Sequence, residues 1–146
     1  ADGKVVEIVE EYEHHYLQQT VRRISIFLSV FNVHVNRVPL AGRVAVTQRQ
    51  PGRFVPAYKP CASEKNEQHH LVLESSAGPI LVKQIVGVLA RRIVCRVNKG
   101  ATLETGERFG LIRFGSRVDV LLPLEAHVEI KVGQAVKGGR TILARF

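Results

Sequence analysis

The chain has 146 residues, of which 45% are hydrophobic and 23% charged, a composition that suits one globular domain with its own core. Its formal net charge of +8 predicts a surface that attracts anions, such as nucleic acid, acidic proteins or an anionic membrane. The sequence contains no zinc-finger spacing, RNA-binding aromatic motif or long Lys/Arg block, and only 6% of its residues are aromatic, which argues against nucleic acid as the partner.

The cysteine spacing argues against a redox or metal-binding protein, and the hydropathy pattern argues against a membrane-spanning one. Cys61 and Cys95 are far apart and form no CxxC pair, so a redox dithiol or a cysteine metal site is not expected. The most apolar stretch, residues 24–35, is interrupted by polar residues and is shorter than the ~20 residues of a membrane-spanning helix. We therefore expect no span in this chain, although a start at Ala1 without Met leaves room for an upstream anchor outside it.

The first half of the chain has the pattern of β-strands. Valine and isoleucine are frequent, and methionine and tryptophan are absent, which favours strands over a helical bundle. Alternating apolar and polar residues predict four strands here: residues 3–10, 23–30, 42–47 and 69–75. Polar residues and turn chemistry predict the connections: a loop over residues 31–39, a turn over 48–52 and a surface loop over 58–68.

The second half predicts one long strand followed by several short ones. Residues 80–97 have the pattern of a strand that bends near Gly87. Four short apolar runs with glycine punctuation follow: residues 109–114, 117–122, 127–132 and 141–146. The glycine-rich residues 131–144 resemble the closing hairpin of biotinyl and lipoyl carrier domains. We therefore expect a mainly β, single-domain barrel or sandwich of the barrel-sandwich hybrid kind.

Three places in the sequence carry candidate chemistry, and each has an ordinary reading beside the functional one. Asp2 is either a terminal turn residue or a carboxylate that orients a base. His34 is either a plain loop histidine or a general base. Gly115-Ser116 is either a β-turn or a reactive peptide bond beside a nucleophile.

Taken together and in this order, these places resemble the short bacterial and archaeal type of phosphatidylserine decarboxylase over nearly the whole chain. Four stretches add to the resemblance: Ile24-Ser25-Ile26-Phe27-Leu28-Ser29, Ser63-Glu64-Lys65-Asn66-Glu67, Gln84-Ile85-Val86-Gly87-Val88-Leu89-Ala90-Arg91-Arg92-Ile93 and Val136-Lys137-Gly138-Gly139. The resemblance implies one catalytic domain, residues 1–146, made as a proenzyme. It would process itself into a β chain of residues 1–115 and an α chain of residues 116–146.

The resemblance also implies the mechanism. The Oγ of Ser116 would attack the carbonyl of Gly115, with His34 as the base and Asp2 orienting its imidazole, as in a hydrolytic triad. Ester elimination would leave a pyruvoyl group at residue 116, a covalent cofactor made from the chain. This group would form a Schiff base with phosphatidylserine and accept electrons as carbon dioxide leaves, which gives phosphatidylethanolamine in phospholipid biosynthesis.

Two residues close to His34 are candidates for substrate binding. Many relatives of the longer type carry a second histidine where this sequence has Arg37. Either His34 serves both cleavage and decarboxylation, or Arg37 holds the substrate's carboxylate or phosphate bidentately. Asn36 offers a hydrogen bond to the headgroup or caps a turn.

The remaining histidines do not predict a metal site. His14-His15 and His69-His70 are adjacent pairs, and neighbouring side chains on a strand point to opposite faces, so neither pair is arranged to chelate one ion. The basic residues fit docking onto an anionic membrane that contains phosphatidylserine or its archaeal ether analogue. We expect the domain at the cytoplasmic face of the cell membrane, either peripheral or anchored by an upstream segment. The α and β chains would stay together, and a homo-oligomer remains open.

Two alternatives compete with this interpretation. A non-enzymatic β module of the carrier or sugar-phosphotransferase type would share the glycine-rich hairpins but would not break after Gly115. A different pyruvoyl decarboxylase would act on a soluble amino acid instead of a lipid. The order Asp2, His34, Gly115-Ser116 argues against the first, and the lipid decarboxylase motifs argue against the second.

Overall fold

A computed structural model describes residues 2–28, 35–89, 92–113 and 115–146. The described chain is mainly β, as the sequence predicts. Its strands are β1 (Gly3–Glu13), β2 (Gln19–Leu28), β3 (Val35–Arg37), β4 (Gly42–Gln50), β5 (Gln68–Ser75), β6 (Gly78–Ile85), β7 (Ile93–Cys95), β8 (Thr102–Leu103), β9 (Arg108–Ile112), β10 (Ser116–Pro123), β11 (His127–Val128), β12 (Ala135–Val136) and β13 (Ala144–Arg145). The described residues contain one short helix, α1 (Ala62–Lys65), and no helix long and apolar enough to cross a membrane.

One large antiparallel sheet organises the domain. Its strand order is β12-β1-β2-β10-β6-β5-β4-β8, so β10 lies in the interior of the sheet between β2 and β6. A three-stranded sheet, β3-β9-β7, and a two-stranded sheet, β11-β13, complete the fold. Every residue of β10 is buried. The predicted cleavage site therefore lies at the start of the best-covered strand rather than on a surface turn.

The hydrophobic core packs the large sheet against the smaller ones. Branched aliphatic side chains of the sheet, such as Ile24, Val82 and Val118, meet Phe109 and Ile112 of β9 in one buried cluster. A second, smaller cluster lies elsewhere on the large sheet and consists of Val21, Val72, Leu81 and Leu121. Apolar burial on both faces explains the continuous apolar run over residues 120–123, the second half of β10.

The structure corrects several predicted boundaries. The predicted loop over residues 31–39 contains strand β3, the predicted turn over 48–52 begins inside β4, and the surface loop over 58–68 contains α1. The predicted long strand over residues 80–97 is two strands in different sheets, because β6 ends at Ile85 and β7 pairs with β9. Near-continuous apolar runs do not show where a chain leaves one sheet for another.

The C-terminal segment is also less regular than predicted. The runs over residues 127–132 and 141–146 form only the two-residue strands β11 and β13, which pair with each other. Within residues 131–144, β12 pairs with β1 at the edge of the large sheet, so this segment does not close on itself as the expected hairpin. Its strands gain their hydrogen bonds from distant parts of the chain.

Candidate active site

The Gly115-Ser116 peptide bond lies where β10 begins. The N–H of Gly115 donates to the carbonyl oxygen of Leu28 over 2.8 Å, and Ser116 is the β-sheet partner of Leu28. Gly115 has a φ of +77°, a left-handed conformation that other L-residues adopt only with strain. Apart from its chain neighbours, no atom of the described residues lies within 4 Å of the place a Cβ would take, so it is backbone conformation and not space that favours glycine here.

The Ser116 side chain is fully buried, and its hydroxyl has no hydrogen-bond partner among the described residues. Most buried hydroxyls have a partner, because burial without one costs the hydrogen bonds to water. Conversion of Ser116 to a pyruvoyl group would transfer this oxygen to Gly115 and leave a methyl group at the former Cβ. The surroundings of Ser116 therefore fit the cofactor that the resemblance implies.

The backbone of Gly87 packs directly against the Gly115 carbonyl group. A Cβ at residue 87 would stand 1.9 Å from the carbonyl oxygen and 3.0 Å from the carbonyl carbon of Gly115. The same Cβ would be 3.3 Å from the Cβ of Ala57. The segments around residues 57 and 87 thus fix the position of the peptide bond that is predicted to break.

A network of buried charges lies on the other face of β10, next to Ser116. Arg117 and Asp119 are both 0% exposed, and Nε of Arg117 donates to Oδ1 of Asp119 over 2.8 Å. Nη2 of Arg117 donates to Oε2 of Glu7 over 3.0 Å and to Oγ of Ser25 over 2.7 Å. Nη1 donates to the carbonyl oxygen of Lys59 over 3.1 Å. One guanidinium therefore ties β10 to β1, to β2 and to the segment before α1.

Arg23 and Ser63 extend this network. The Ser63 hydroxyl donates to Oδ2 of Asp119 over 2.5 Å and accepts from Nη1 of Arg23 over 3.1 Å. Although burial opposes its charged form, the carboxylates of Asp119, Glu11 and Glu7 raise the pKa of Arg23. Each arginine is matched by carboxylates, which is the condition for a stable buried ion network.

Asn36, a predicted substrate-binding residue, lies on β3 and is paired with Gln84 of β6. Nε2 of Gln84 donates to Oδ1 of Asn36 over 2.8 Å. The two side chains are 1% and 0% exposed. Nδ2 of Asn36 and Oε1 of Gln84 have no partner among the described residues. This amide pair offers one unused donor and one unused acceptor.

A cavity of about 400 Å³ opens beside Asn36. Apolar side chains of the large sheet form one wall: Ile26, Ile80, Val82, Val118, Val120 and Leu122. Arg37, Lys137 and Arg140 also line it, and Nη1 of Arg37 donates to the carbonyl oxygen of Gly106 over 2.8 Å. Because Ser116 and Val118 are two positions apart on one strand, their side chains point to the same face, about 7 Å apart.

The structure places Asp2 against one residue of the cavity lining and does not test its predicted pairing with His34. Oδ1 of Asp2 accepts a 2.6 Å hydrogen bond from the N–H of Gly138, a residue of the cavity lining. His34, the predicted base, lies outside the described residues. The orientation of His34 by Asp2 therefore stays a prediction, as do the roles of Asn36 and Arg37.

A second group of titratable residues lies around the β1-β2 turn. The Tyr16 hydroxyl is 2.8 Å from Nδ1 of His70, and Nε2 of His70 is 2.7 Å from Oε1 of Gln68. Burial, assisted by the charge of Lys83, lowers the pKa of His70 to about 4. His70 is therefore neutral at neutral pH. Among the described residues, no cluster of three or more His, Cys, Asp or Glu side chains is arranged to hold a metal ion.

Sequence reasoning missed several residues that surround Ser116. The sequence marks Gln84 and Gly87 only as parts of the resemblance and of a predicted strand bend. It marks Arg117 and Asp119 only as members of a predicted strand. The alternation Arg117, Val118, Asp119, Val120 puts opposite charges on one face of a strand flanked by apolar residues. That pattern is the signal for a buried ion pair beside the Gly-Ser bond.

Comparisons with known proteins give a consistent result. The family model described as phosphatidylserine decarboxylase matches residues 1–144. Proteins named phosphatidylserine decarboxylase proenzyme from Magnetococcus marinus, Syntrophus aciditrophicus and Salinibacter ruber are 49%, 47% and 49% identical over 147 residues and cover 100% of the chain. The chain spans 67%, 69% and 65% of their lengths, about two thirds. No solved structure gives a match.

The matches extend over the whole sequence rather than over one motif. They include the Gly115-Ser116 pair, the buried strand β10 that follows it and the cavity lining up to Ala144. The resemblance identified from the motifs is therefore confirmed. The chain belongs to the phosphatidylserine decarboxylase family.

Proposed function

We propose that this chain is the catalytic domain of a proenzyme that converts phosphatidylserine to phosphatidylethanolamine and carbon dioxide, with a pyruvoyl group formed from Ser116. Membership of the family supports the reaction. The observation that carries the site assignment is the buried Ser116 hydroxyl without a partner among the described residues, next to Gly115 with its φ of +77°. A structural β module has no need of such a pair inside its large sheet.

Formation of the cofactor requires only groups of the chain and one water molecule. Oγ of Ser116 adds to the Gly115 carbonyl, and the C–N bond breaks to give an ester and a free amine. Loss of the Ser116 α proton and cleavage of the Cβ–Oγ bond release residues 1–115 with a carboxylate. Water then replaces the nitrogen at residue 116, which leaves as ammonia. We assign the proton transfers to His34, with Asp2 as the carboxylate that orients it.

Side chains at the cavity would bind and orient the substrate. A pyruvoyl group at residue 116 would supply an electron sink for the electron pair left by departing carbon dioxide. Arg37 brings positive charge for a carboxylate or phosphate, and its bond to Gly106 uses only one of its five N–H donors. The apolar wall excludes water and favours loss of the carboxylate charge.

The exposed surface beside the site supports docking onto an anionic membrane. Leu89 is 72% exposed and lies two residues beyond Gly87, which packs against the Gly115 carbonyl. Tyr58 is 58% exposed and follows Ala57 on the other side of the same contact. Apolar tips of this kind insert among lipid chains, while the net charge of +8 attracts anionic headgroups.

The decisive experiment is an intact-mass measurement of the purified protein with an activity assay on vesicles that contain phosphatidylserine. We expect the unaltered protein to contain two chains that meet between residues 115 and 116. Ser116→Ala should give one uncleaved chain with no activity, because it lacks the nucleophile. Ser76→Ala changes an exposed serine in the β5-β6 turn and serves as the matched control.

Two outcomes would reject the proposal. Full decarboxylase activity in an uncleaved Ser116→Ala protein would show that residue 116 does not supply the cofactor. Cleavage without activity on phosphatidylserine, but with activity on a soluble amino acid, would support a different pyruvoyl decarboxylase.

A further inference from the structure

Unsatisfied polar atoms are concentrated near the proposed site. The described chain has four buried side-chain polar atoms without a partner, and three of them are Ser116 Oγ, Asn36 Nδ2 and Gln84 Oε1. Gln84 pairs with Val118 across β6 and β10, so its side chain and that of Ser116 lie on the same face of the sheet. Asn36 lines the cavity. Of the pair, Asn36 therefore reaches the cavity, and Gln84 lies opposite Val118, two residues after Ser116.

The orientation of both amides follows from a backbone contact. Nε2 of Gln84 is 3.3 Å from the carbonyl oxygen of Val94, which can only accept a hydrogen bond. This contact identifies the Gln84 nitrogen, and the 2.8 Å bond from that nitrogen then identifies Oδ1 of Asn36. The atoms left over are therefore a donor, Nδ2 of Asn36, and an acceptor, Oε1 of Gln84.

A ligand that satisfies both atoms must carry an acceptor and a donor close together. A phosphate diester has only acceptors, so it would leave Oε1 of Gln84 without a partner. An α-amino acid headgroup carries a carboxylate, which accepts, and an ammonium group, which donates. A buried acceptor without a partner loses free energy, so the pair discriminates between these ligands.

We infer that Asn36 and Gln84 form the subsite for the serine headgroup, with Nδ2 of Asn36 donating to its carboxylate and Oε1 of Gln84 accepting from its ammonium group. This inference rests on the proposed function and adds Gln84 as a substrate-binding residue. The product has the ammonium group but no carboxylate. It would leave Nδ2 of Asn36 unsatisfied again, which favours release of phosphatidylethanolamine over rebinding.

The test compares two soluble short-chain lipids, dihexanoyl phosphatidylserine as substrate and dihexanoyl phosphatidylethanolamine as inhibitor. Gln84→Leu removes the acceptor and should weaken the binding of both ligands, so that KM and the inhibition constant each rise about tenfold. Asn36→Asp removes the donor and adds a negative charge. It should raise KM for phosphatidylserine about tenfold or more. It should not raise the inhibition constant of phosphatidylethanolamine. Gln50→Leu, an exposed change on β4, is the control.

Intact mass separates failure of this inference from failure of the proposed function. An unaltered protein that neither cleaves after Gly115 nor acts on phosphatidylserine would overturn both. Normal activity with unchanged constants in the variants, or an equal loss for both lipids in Asn36→Asp, would overturn the subsite alone. If Gln84→Leu does not fold, Gln84→Met is measured in its place. If neither variant folds, KM and the inhibition constant of Asn36→Asp decide whether the subsite stands.

Discussion

At the scale of single residues, the contact between Gly87 and Gly115 is the closest glycine approach in the described chain. The Cβ of any other residue at position 87 would stand 1.9 Å from the Gly115 oxygen, and real Cβ atoms do not approach other atoms so closely. Because the obstacle is backbone, neither segment can yield by changing a rotamer. Position 87 therefore controls where the carbonyl that is predicted to be attacked lies.

We expect Gly87→Ala to slow cleavage after Gly115 about 100-fold, because displacement of a reacting group by about 1 Å has costs of this size. The measurement is the fraction of cleaved chain against time, by intact mass. Gly42→Ala is the control, since its Cβ would stand 2.6 Å from the Glu74 carbonyl oxygen in the same sheet, away from the site. Equal slowing in both variants would mean that the effect is general destabilisation.

His70 supports a prediction about stability against pH. Burial holds its pKa at about 4 in the folded chain, below the ordinary 6.5 of the unfolded one, and Lys83 adds to the effect while Glu13 opposes it. The unfolded state therefore binds a proton at a pH where the folded state does not. The free energy of unfolding should fall as the pH decreases from about 6.5 to about 4.

Denaturant titrations at several pH values between 7 and 5 would check this. His70→Gln should reduce the loss of stability over that range, although His69, whose pKa burial also lowers, will keep part of it. His127→Gln, a change at an exposed histidine, should leave the loss as it is. If the free energy of unfolding of His70→Gln fell with pH as steeply as that of the unaltered protein, His70 would not be the source of the loss.

At the scale of secondary-structure elements, the pairing of β10 would keep the two chains together after the predicted cleavage. It would become the first strand of the α chain, and it is hydrogen-bonded on one side to β2 and on the other to β6 of the β chain. Arg117, immediately after the break, adds bonds to Glu7, Ser25 and Lys59 of the β chain. The new terminus is therefore held from both sides and by a buried guanidinium.

Arg117→Ala should destabilise the folded protein by about 3–5 kcal/mol, because it leaves the buried Asp119 without its closest cation. The loss of stability should be larger for the cleaved protein, in which no peptide bond joins residue 116 to residue 115. We would measure the denaturant midpoint of the cleaved form and of a Ser116→Ala background. Leu121→Ala, a fully buried change further along β10, should affect both forms equally. Equal effects of Arg117→Ala on both forms would argue against an anchoring role.

At the scale of the whole molecule, the site lies beside the exposed side chains of Leu89 and Tyr58, and the chain carries a large positive charge. A lipid substrate passes most easily from the bilayer to the site if the surface with Leu89 and Tyr58 faces the bilayer. Leu124 is also exposed but lies beyond the far end of β10, about 26 Å along the strand from Ser116. The two leucines therefore form a matched pair for testing orientation.

We expect Leu89→Asp to reduce binding to vesicles containing phosphatidylserine about tenfold, because it replaces an inserting apolar group by a charge that anionic lipids repel. Leu124→Asp should bind like the unaltered protein. Co-sedimentation at two salt concentrations would measure both effects. Equal binding by the two variants would show that another surface docks.

The sequence alone determined the mainly β class, most strands of the large sheet and the family, because alternation and local motifs do not depend on distant contacts. It also predicts cleavage at Gly115-Ser116, since that pair belongs to a continuous motif. Residues 80–97 show the limit: their apolar pattern is the same whether they form one strand or two in different sheets. Only pairing with β9 decides that β7 is separate.

Tertiary structure alone decided what surrounds Ser116. Gly87, Gln84 and Asn36 reach the site from separate strands and loops, and no spacing in the sequence encodes those distances. That the Ser116 hydroxyl has no hydrogen-bond partner among the described residues is also a tertiary property, because burial and partner atoms come from packing. The sequence predicts which bond breaks, whereas the neighbours that fix the position of that bond are set by long-range strand pairing and by the burial of charges.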